Sequence, residues 1–190
     1  MSADPYSPLF KQAILITLDH EGGFVDDPVD PGGATNHGIS LRFARANGEL
    51  DADGDGWPDL DVDFDGDIDA DDIRKLTADQ AVDVYHASFW TPGGYDAYPG
   101  GSGVKAFDLA VNMGPRQAHK IVQRALRACG QTVVDDGVIG PRSRAAMEQV
   151  NVTAFWTSMR SEAAGFYRTL IAKRPKLAKY ERGWLNRAYS

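Results

Sequence analysis

A chain of 190 residues, 43% apolar and 25% charged, can bury one substantial core or a main domain with a small appendage. Its formal charge of −7 is uneven: residues 51–72 hold eleven aspartates and no lysine or arginine, so the remainder carries 20 Lys plus Arg against 16 Asp plus Glu, a net of +4. There is no dense basic stripe interleaved with aromatics, which argues against a nucleic-acid partner. The longest apolar run, Ala13 to Leu18, is too short for stable membrane insertion, and a monomer is expected.

Pro8, Leu9, Phe10, Ala13, Ile14 and Leu18 set a helical apolar face that ends near His20. The segment 21–40, with five glycines and two prolines, predicts turns and a short hairpin. Ser40 is placed to cap a short helix through Phe43 and Ala46, and the aspartate-rich stretch follows. Thr77-Ala78-Asp79-Gln80 reads as a capping box opening a helix toward Trp90. Thr91 to Gly103 reads as a Gly/Pro/Tyr loop. Further helices are predicted over Val104–Asn112, from Pro115, from Pro141 and from Asn151, with Asp135-Asp136-Gly137 as a turn and Pro175 as an interruption before a last helix. Cys129, the single cysteine, has no disulfide partner and reads as a buried helix residue in IVQRALRAC.

Eleven carboxylates crowded into 51–72 repel one another unless positive charge sits among them, and a hard, oxygen-liganded cation, Ca2+, is the natural candidate. With Asp61 as position 1 of a calcium loop, Asp63 and Asp65 are 3 and 5, Gly66 is 6, Asp67 is 7 through its carbonyl, Asp69 is 9 and Asp72 is 12. That is EF-hand spacing with Asp in place of the final Glu, as in dockerin-type loops. A second frame starts at Asp51 and uses Asp53, Asp55, Gly56, Trp57 through its carbonyl, and Asp59; its position 12 is Val62, so it must borrow Asp61 or Asp63. One structural ion is expected, and two if the second frame also fills. The competing reading is a disordered acidic loop, against which Gly56, Gly66 and Ile68 occupy the places a folded loop needs.

Glu21 stands directly after the first predicted helix, with Asp30 nine residues on and Thr35 fourteen on, across a chain able to double back. An acid, a second carboxylate and a hydroxyl are what glycoside hydrolysis requires. A glutamate at a helix end is also often only a surface residue. The string Glu21-Gly22-Gly23-Phe24, then Asp30-Pro31-Gly32-Gly33-Ala34-Thr35-Asn36-His37-Gly38-Ile39, resembles the opening signature of glycoside hydrolase family 108, the phage- and prophage-type N-acetylmuramidases (endolysins) of the lysozyme-like superfamily. Phe89-Trp90, Phe107-Asp108, Asn112-Met113-Gly114, Gln123 to Leu126 and Gly183-Trp184-Leu185 continue it in order.

The resemblance implies a mainly α, lysozyme-like α+β fold with a small hairpin region, a helical C-terminal part and the calcium-loop insert. Its expected domains are a catalytic region over 1–114, holding the acidic insert at 48–75, and a helical peptidoglycan-binding-like region over 115–190. It implies hydrolysis of the β-1,4 bond between N-acetylmuramic acid and N-acetylglucosamine in bacterial peptidoglycan, with Glu21 as general acid and Asp30 and Thr35 holding the attacking water, by inversion. A lytic transglycosylase and a non-catalytic wall-binding or virion structural protein are the alternatives. The start of the chain has no basic n-region and no small-residue cleavage site, so synthesis in the bacterial cytoplasm and holin-like or other non-Sec release to the wall are expected.

Around the presumed cleft, His37 either faces substrate or makes a structural hydrogen bond. Asn112 either donates to substrate or caps its helix. Tyr85 and Trp90 either line sugar subsites or belong to the core. Tyr95 and Tyr98, in the glycine-rich loop, are the stronger candidates for exposed stacking. The histidines lack zinc spacing, so no catalytic metal is assigned.

Overall fold

Helix α1 (Pro8–His20) begins where Ser7 Oγ accepts the Phe10 amide at 3.1 Å, and it buries Phe10, Ala13, Ile14 and Thr17. The computed structural model describes residues 5–20, 23–26, 33–51 and 54–190, without the side chains of 19 and 20. These fall into two compact units, 1–92 and 93–190.

In the first unit, strands β1 (Thr35–Asn36) and β2 (Ile39–Ser40) form an antiparallel hairpin in which Asn36 opposes Ile39. Its two-residue turn, His37-Gly38, has φ of 48° and 77°, the paired positive values that match the twist of a tight hairpin. The Ser40 side chain accepts the Phe43 amide and caps α2 (Leu41–Ala46). The acidic stretch then leads into α3 (Ala70–Lys75), whose start is closed by a reciprocal Asp69–Asp72 capping box. Thr77 and Gln80 form the expected box at α4 (Ala78–Tyr85). The helix continues as a π-turn over His86–Trp90, where the Thr91 amide reaches back to the His86 carbonyl, and into α5 (Thr91–Gly93). Phe10 packs against His86 and Trp90, with centroids 4.8 and 5.3 Å away, which ties α1 to this π-turn.

The second unit corrects one expectation. The predicted loop from Thr91 to Gly103 is mostly helical turns, α5 followed by 3-10 turns at Tyr95–Ala97 and Pro99–Gly101. Helices α6 (Ser102–Met113), α7 (Pro115–Ala128), α8 (Pro141–Gln149), α9 (Val152–Lys173) and α10 (Glu181–Tyr189) follow, with a 3-10 segment at Pro175–Tyr180 before the last. Helix α7 packs on α6 and α9, and α10 on α9. The buried amide of Gln123 donates to Asp136 Oδ1 (2.8 Å) and the Val138 carbonyl (2.9 Å) and accepts from the Gly137 amide (2.8 Å), so one side chain holds the 135–138 turn. Lys105, 3% exposed, is neutralised by Asp108 at 3.3 Å, and burial pulls its ammonium below the usual lysine range. Cys129 is not a buried helix residue: it sits half-buried at the C-cap of α7, 3.5 Å from Ser158 Oγ.

Candidate active site and the acidic insert

The hairpin is pinned from both sides. Thr35 exchanges both backbone hydrogen bonds with Val25 at 2.8 Å each, while its other neighbour across the sheet is Ser40. The backbone polar groups of Thr35 are therefore spent on structure, and among the described residues its half-buried hydroxyl has only the Gly33 carbonyl, a long 3.4 Å away. Glu21 and Asp30 lie outside the described residues. His37 uses its carbonyl to accept from the Tyr85 hydroxyl at 3.1 Å.

Asn36, next to Thr35, has a structural role that no local motif marks. It is 6% exposed, and its amide donates to the carbonyls of Ile73 (3.0 Å) and Leu76 (3.1 Å) at the C-terminal end of α3. Those carbonyls lack intrahelical partners, so the hairpin itself completes the helix that closes the acidic stretch. Arg74, on α3, lies 4.8 Å from the centroid of Phe24, next to Val25.

The aromatic candidates are corrected by burial. Tyr85 and Trp90 are each 1% exposed and offer no face to a sugar from the first unit's core. Tyr95 and Tyr98, expected as exposed stacking rings, are 0% and 3% exposed. The glycines around them permit this. A Cβ at Gly103 would lie 1.9 Å from the Tyr95 carbonyl oxygen, and one at Gly93 2.3 Å from its ring, so the loop's glycines make room for a tyrosine to be buried rather than displayed. Burial pushes both phenols above their ordinary pKa, and Tyr95 is matched to His119 Nε2 at 3.2 Å. His119 Nδ1 faces the Gly137 carbonyl at 3.3 Å; a carbonyl can only accept, so Nδ1 carries the proton and Nε2 accepts from Tyr95. Asn112 is exposed, and its Oδ1 accepts from the Tyr167 hydroxyl at 2.7 Å. Its amide nitrogen is thereby oriented, and the side chain does not cap α6.

The acidic stretch repeats one pattern ten residues apart. Asp51 and Asp61 accept the amides of Gly56 and Gly66 at 3.1 and 3.0 Å, and Asp55 and Asp65 accept those of Trp57 and Asp67 at 2.8 and 3.0 Å. Gly56 and Gly66 share a φ of 92°, which only glycine adopts readily. Carboxylate oxygens gather in two triads that could hold a cation, Asp61–Asp63–Asp65 and Asp67–Asp69–Asp72. The single ligand set expected from Asp61 to Asp72 is thus divided, and Asp72, a member of the second triad, is buried and also accepts from the amides of Val62 (2.8 Å), Asp63 (3.3 Å) and Asp69 (2.8 Å). No described triad includes Asp51, Asp55 or Asp59, and Asp53 lies outside the described residues. Repulsion is visible: Asp65 beside Asp67 holds its carboxyl above the usual range, and Lys75 Nζ sits 2.5 Å from Asp63 Oδ2. Asp63 Oδ1, by contrast, is buried with no hydrogen-bond partner among the described residues.

Residues 14–114 match the family Glycosyl hydrolase 108, and residues 117–189 match a family described as Predicted Peptidoglycan domain. The chain belongs to the glycosyl hydrolase 108 family. It is similar to the solved structure of Brucella abortus SagA, with 26% identity and a TM-score of 0.70 over 94% of this chain and 88% of that one. No curated protein sequence matches it. The mainly α fold with its small hairpin agrees with that membership, which carries the general function of a peptidoglycan hydrolase with bacterial peptidoglycan as its partner. No helix among the described residues is long and apolar enough to cross a membrane.

Proposed function

We propose that this chain is an endolysin-type N-acetylmuramidase that hydrolyses the β-1,4 bond between N-acetylmuramic acid and N-acetylglucosamine. Glu21 protonates the glycosidic oxygen as the bond breaks. Asp30, charged, and the Thr35 hydroxyl hold a water for attack on the opposite face, which inverts the anomeric centre. The observation that carries this reading is the Val25–Thr35 pair. Val25 is four residues after Glu21 in the sequence, and Asp30 falls between Val25 and Thr35, so the pair turns the chain back on itself within the short stretch that contains them. Among the described residues, the Thr35 hydroxyl is held only by a long bond to the Gly33 carbonyl, which water can replace or add to.

The acidic stretch is proposed to bind Ca2+ as a structural ion. The fit rests on the buried, unpartnered Asp63 Oδ1 within the Asp61–Asp63–Asp65 triad, an all-oxygen, flexible donor set suited to calcium. Asp61, Asp63 and Asp65 would hold it, with Asp67, Asp69 and Asp72 as the second set. The ion offsets part of the loop's negative charge; the chemistry stays with Glu21, Asp30 and Thr35.

The test is Glu21→Gln on the full chain with purified peptidoglycan. Release of reducing ends is expected to vanish while the melting curve is unchanged, and mass spectrometry of wild-type products should give reducing-end muramic acid. Retained lysis by Glu21→Gln rejects Glu21 as the acid, and anhydro products assign transglycosylation instead.

A further inference from the structure

Between the acidic stretch and the face formed by α4 and the π-turn lies a groove of about 990 Å³, at the upper end of the range for ligand sites. It belongs wholly to the first unit. Its lining includes Tyr6, just before the start of α1. Of the proposed catalytic residues, Thr35 is not part of its lining.

Its aromatic wall is unusual for a surface. Trp57 and Phe64 are 51% and 62% exposed and meet edge to face, with centroids 5.9 Å apart at 89°. Phe64 has a φ of 60°, a left-handed backbone that bulky side chains avoid, and it adopts this conformation with its ring facing outward. Polar groups converge opposite. The Gln80 Oε1 is taken by the amide and hydroxyl of Thr77 at 2.9 and 2.8 Å, which leaves its two N–H donors for a ligand. Asp83 and His86 line the same wall. Five lining residues are aspartates and none is lysine or arginine, so an anionic occupant is repelled.

We propose that this groove binds the uncharged N-acetylglucosamine rings of a glycan strand, with Trp57 as stacking platform. The C–H face of a pyranose suits the exposed indole, its hydroxyls donate to carboxylates, and its acetamido carbonyl accepts from Gln80. The carboxylate-bearing muramic acid and peptide stems are excluded by charge. The inference deepens the glycan-hydrolase reading and rests on it for the choice of ligand. The acidic stretch thereby gains a second role, as one wall of an accessory glycan site.

The experiment is a titration of the full-length Glu21→Gln chain, in calcium, with chito-tetraose, followed by the indole N–H resonances. The Trp57 signal is assigned as the one lost in Trp57→Phe. That signal is expected to shift on titration, and Trp57→Ala is expected to weaken chito-tetraose binding, read by calorimetry, about tenfold. A Trp57 signal that does not move overturns the proposal even if the wild-type chain cleaves peptidoglycan. If instead the chain fails to cleave but the signal shifts, the groove stands and the muramidase reading falls. A shift produced by a free stem peptide and not by the tetrasaccharide reassigns the groove to peptide and overturns the sugar class. The resonance is read in a chain with Trp57 intact, and sequential resonance assignment of that same chain checks its identity, so the result survives misfolding of either Trp57 variant.

Discussion

Asn36 shows how much one buried amide can control. Its two N–H groups satisfy the Ile73 and Leu76 carbonyls, and the residue is next to Thr35. Asn36→Ala would leave those acceptors buried and unpaired, at about 1–3 kcal/mol each before relaxation. Asn36→Asp should be worse, because a carboxylate would face two carbonyl oxygens at about 3 Å. The expected order of melting temperatures is wild type, then Ala, then Asp, with hydrolysis reduced in both variants; equal melting temperatures would show that the amide is not holding the hairpin. Nothing in the sequence could reveal this contact, since its partners are 37 and 40 residues away. The burial of Tyr95 is hidden for a related reason: glycines signal backbone freedom, but only the fold shows that Gly93 and Gly103 use it to admit the ring.

At the scale of elements, what was legible was local. Ser40, Thr77 and Asn151 cap their helices through side-chain oxygens at the predicted positions, and Pro115 and Pro141 occupy first turns. The π-turn at His86–Trp90 was not legible, because its spacing differs from an α-helix by one residue and depends on packing against Phe10. Nor could spacing show that Asp72 faces backbone amides. That orientation makes α3 the mechanical link of the first unit: its start closes the proposed calcium loop and its end holds Asn36. Calcium at one hundred times its dissociation constant would stabilise the loaded state by about 2.7 kcal/mol, worth roughly 5–10 °C in a chain of this size. Chelation by EDTA should lower the melting temperature by that order and reduce hydrolysis, and Asp61→Asn should remove the EDTA effect. A melting curve indifferent to EDTA, with no heat on calcium titration, rules the ion out.

For the whole molecule, charge is divided between the units rather than between insert and body. Residues 93–190 carry 15 Lys plus Arg against 7 Asp plus Glu, a net of +8, while residues 1–92 carry 5 against 20, a net of −15. Outside 51–72 the first unit is still −4, so the positive remainder inferred from composition belongs to the second unit. That is the unit most of which matches the peptidoglycan domain, and its 3-10 segment Pro175–Tyr180 exposes Lys176 and Lys179. Attraction to an anionic wall should therefore be carried there and screened by salt, since the Debye length falls from about 30 Å at 0.01 M to about 10 Å at 0.1 M. Reversing both charges, Lys176→Glu with Lys179→Glu, in the Glu21→Gln background should weaken co-sedimentation with purified sacculi several-fold near 0.01 M salt. The difference from the parent should shrink as salt rises, because both chains then lose the same long-range field. Equal binding of the two chains at low salt would move the wall contact away from this segment and leave short-range recognition, not charge, as what brings the second unit to its polymer.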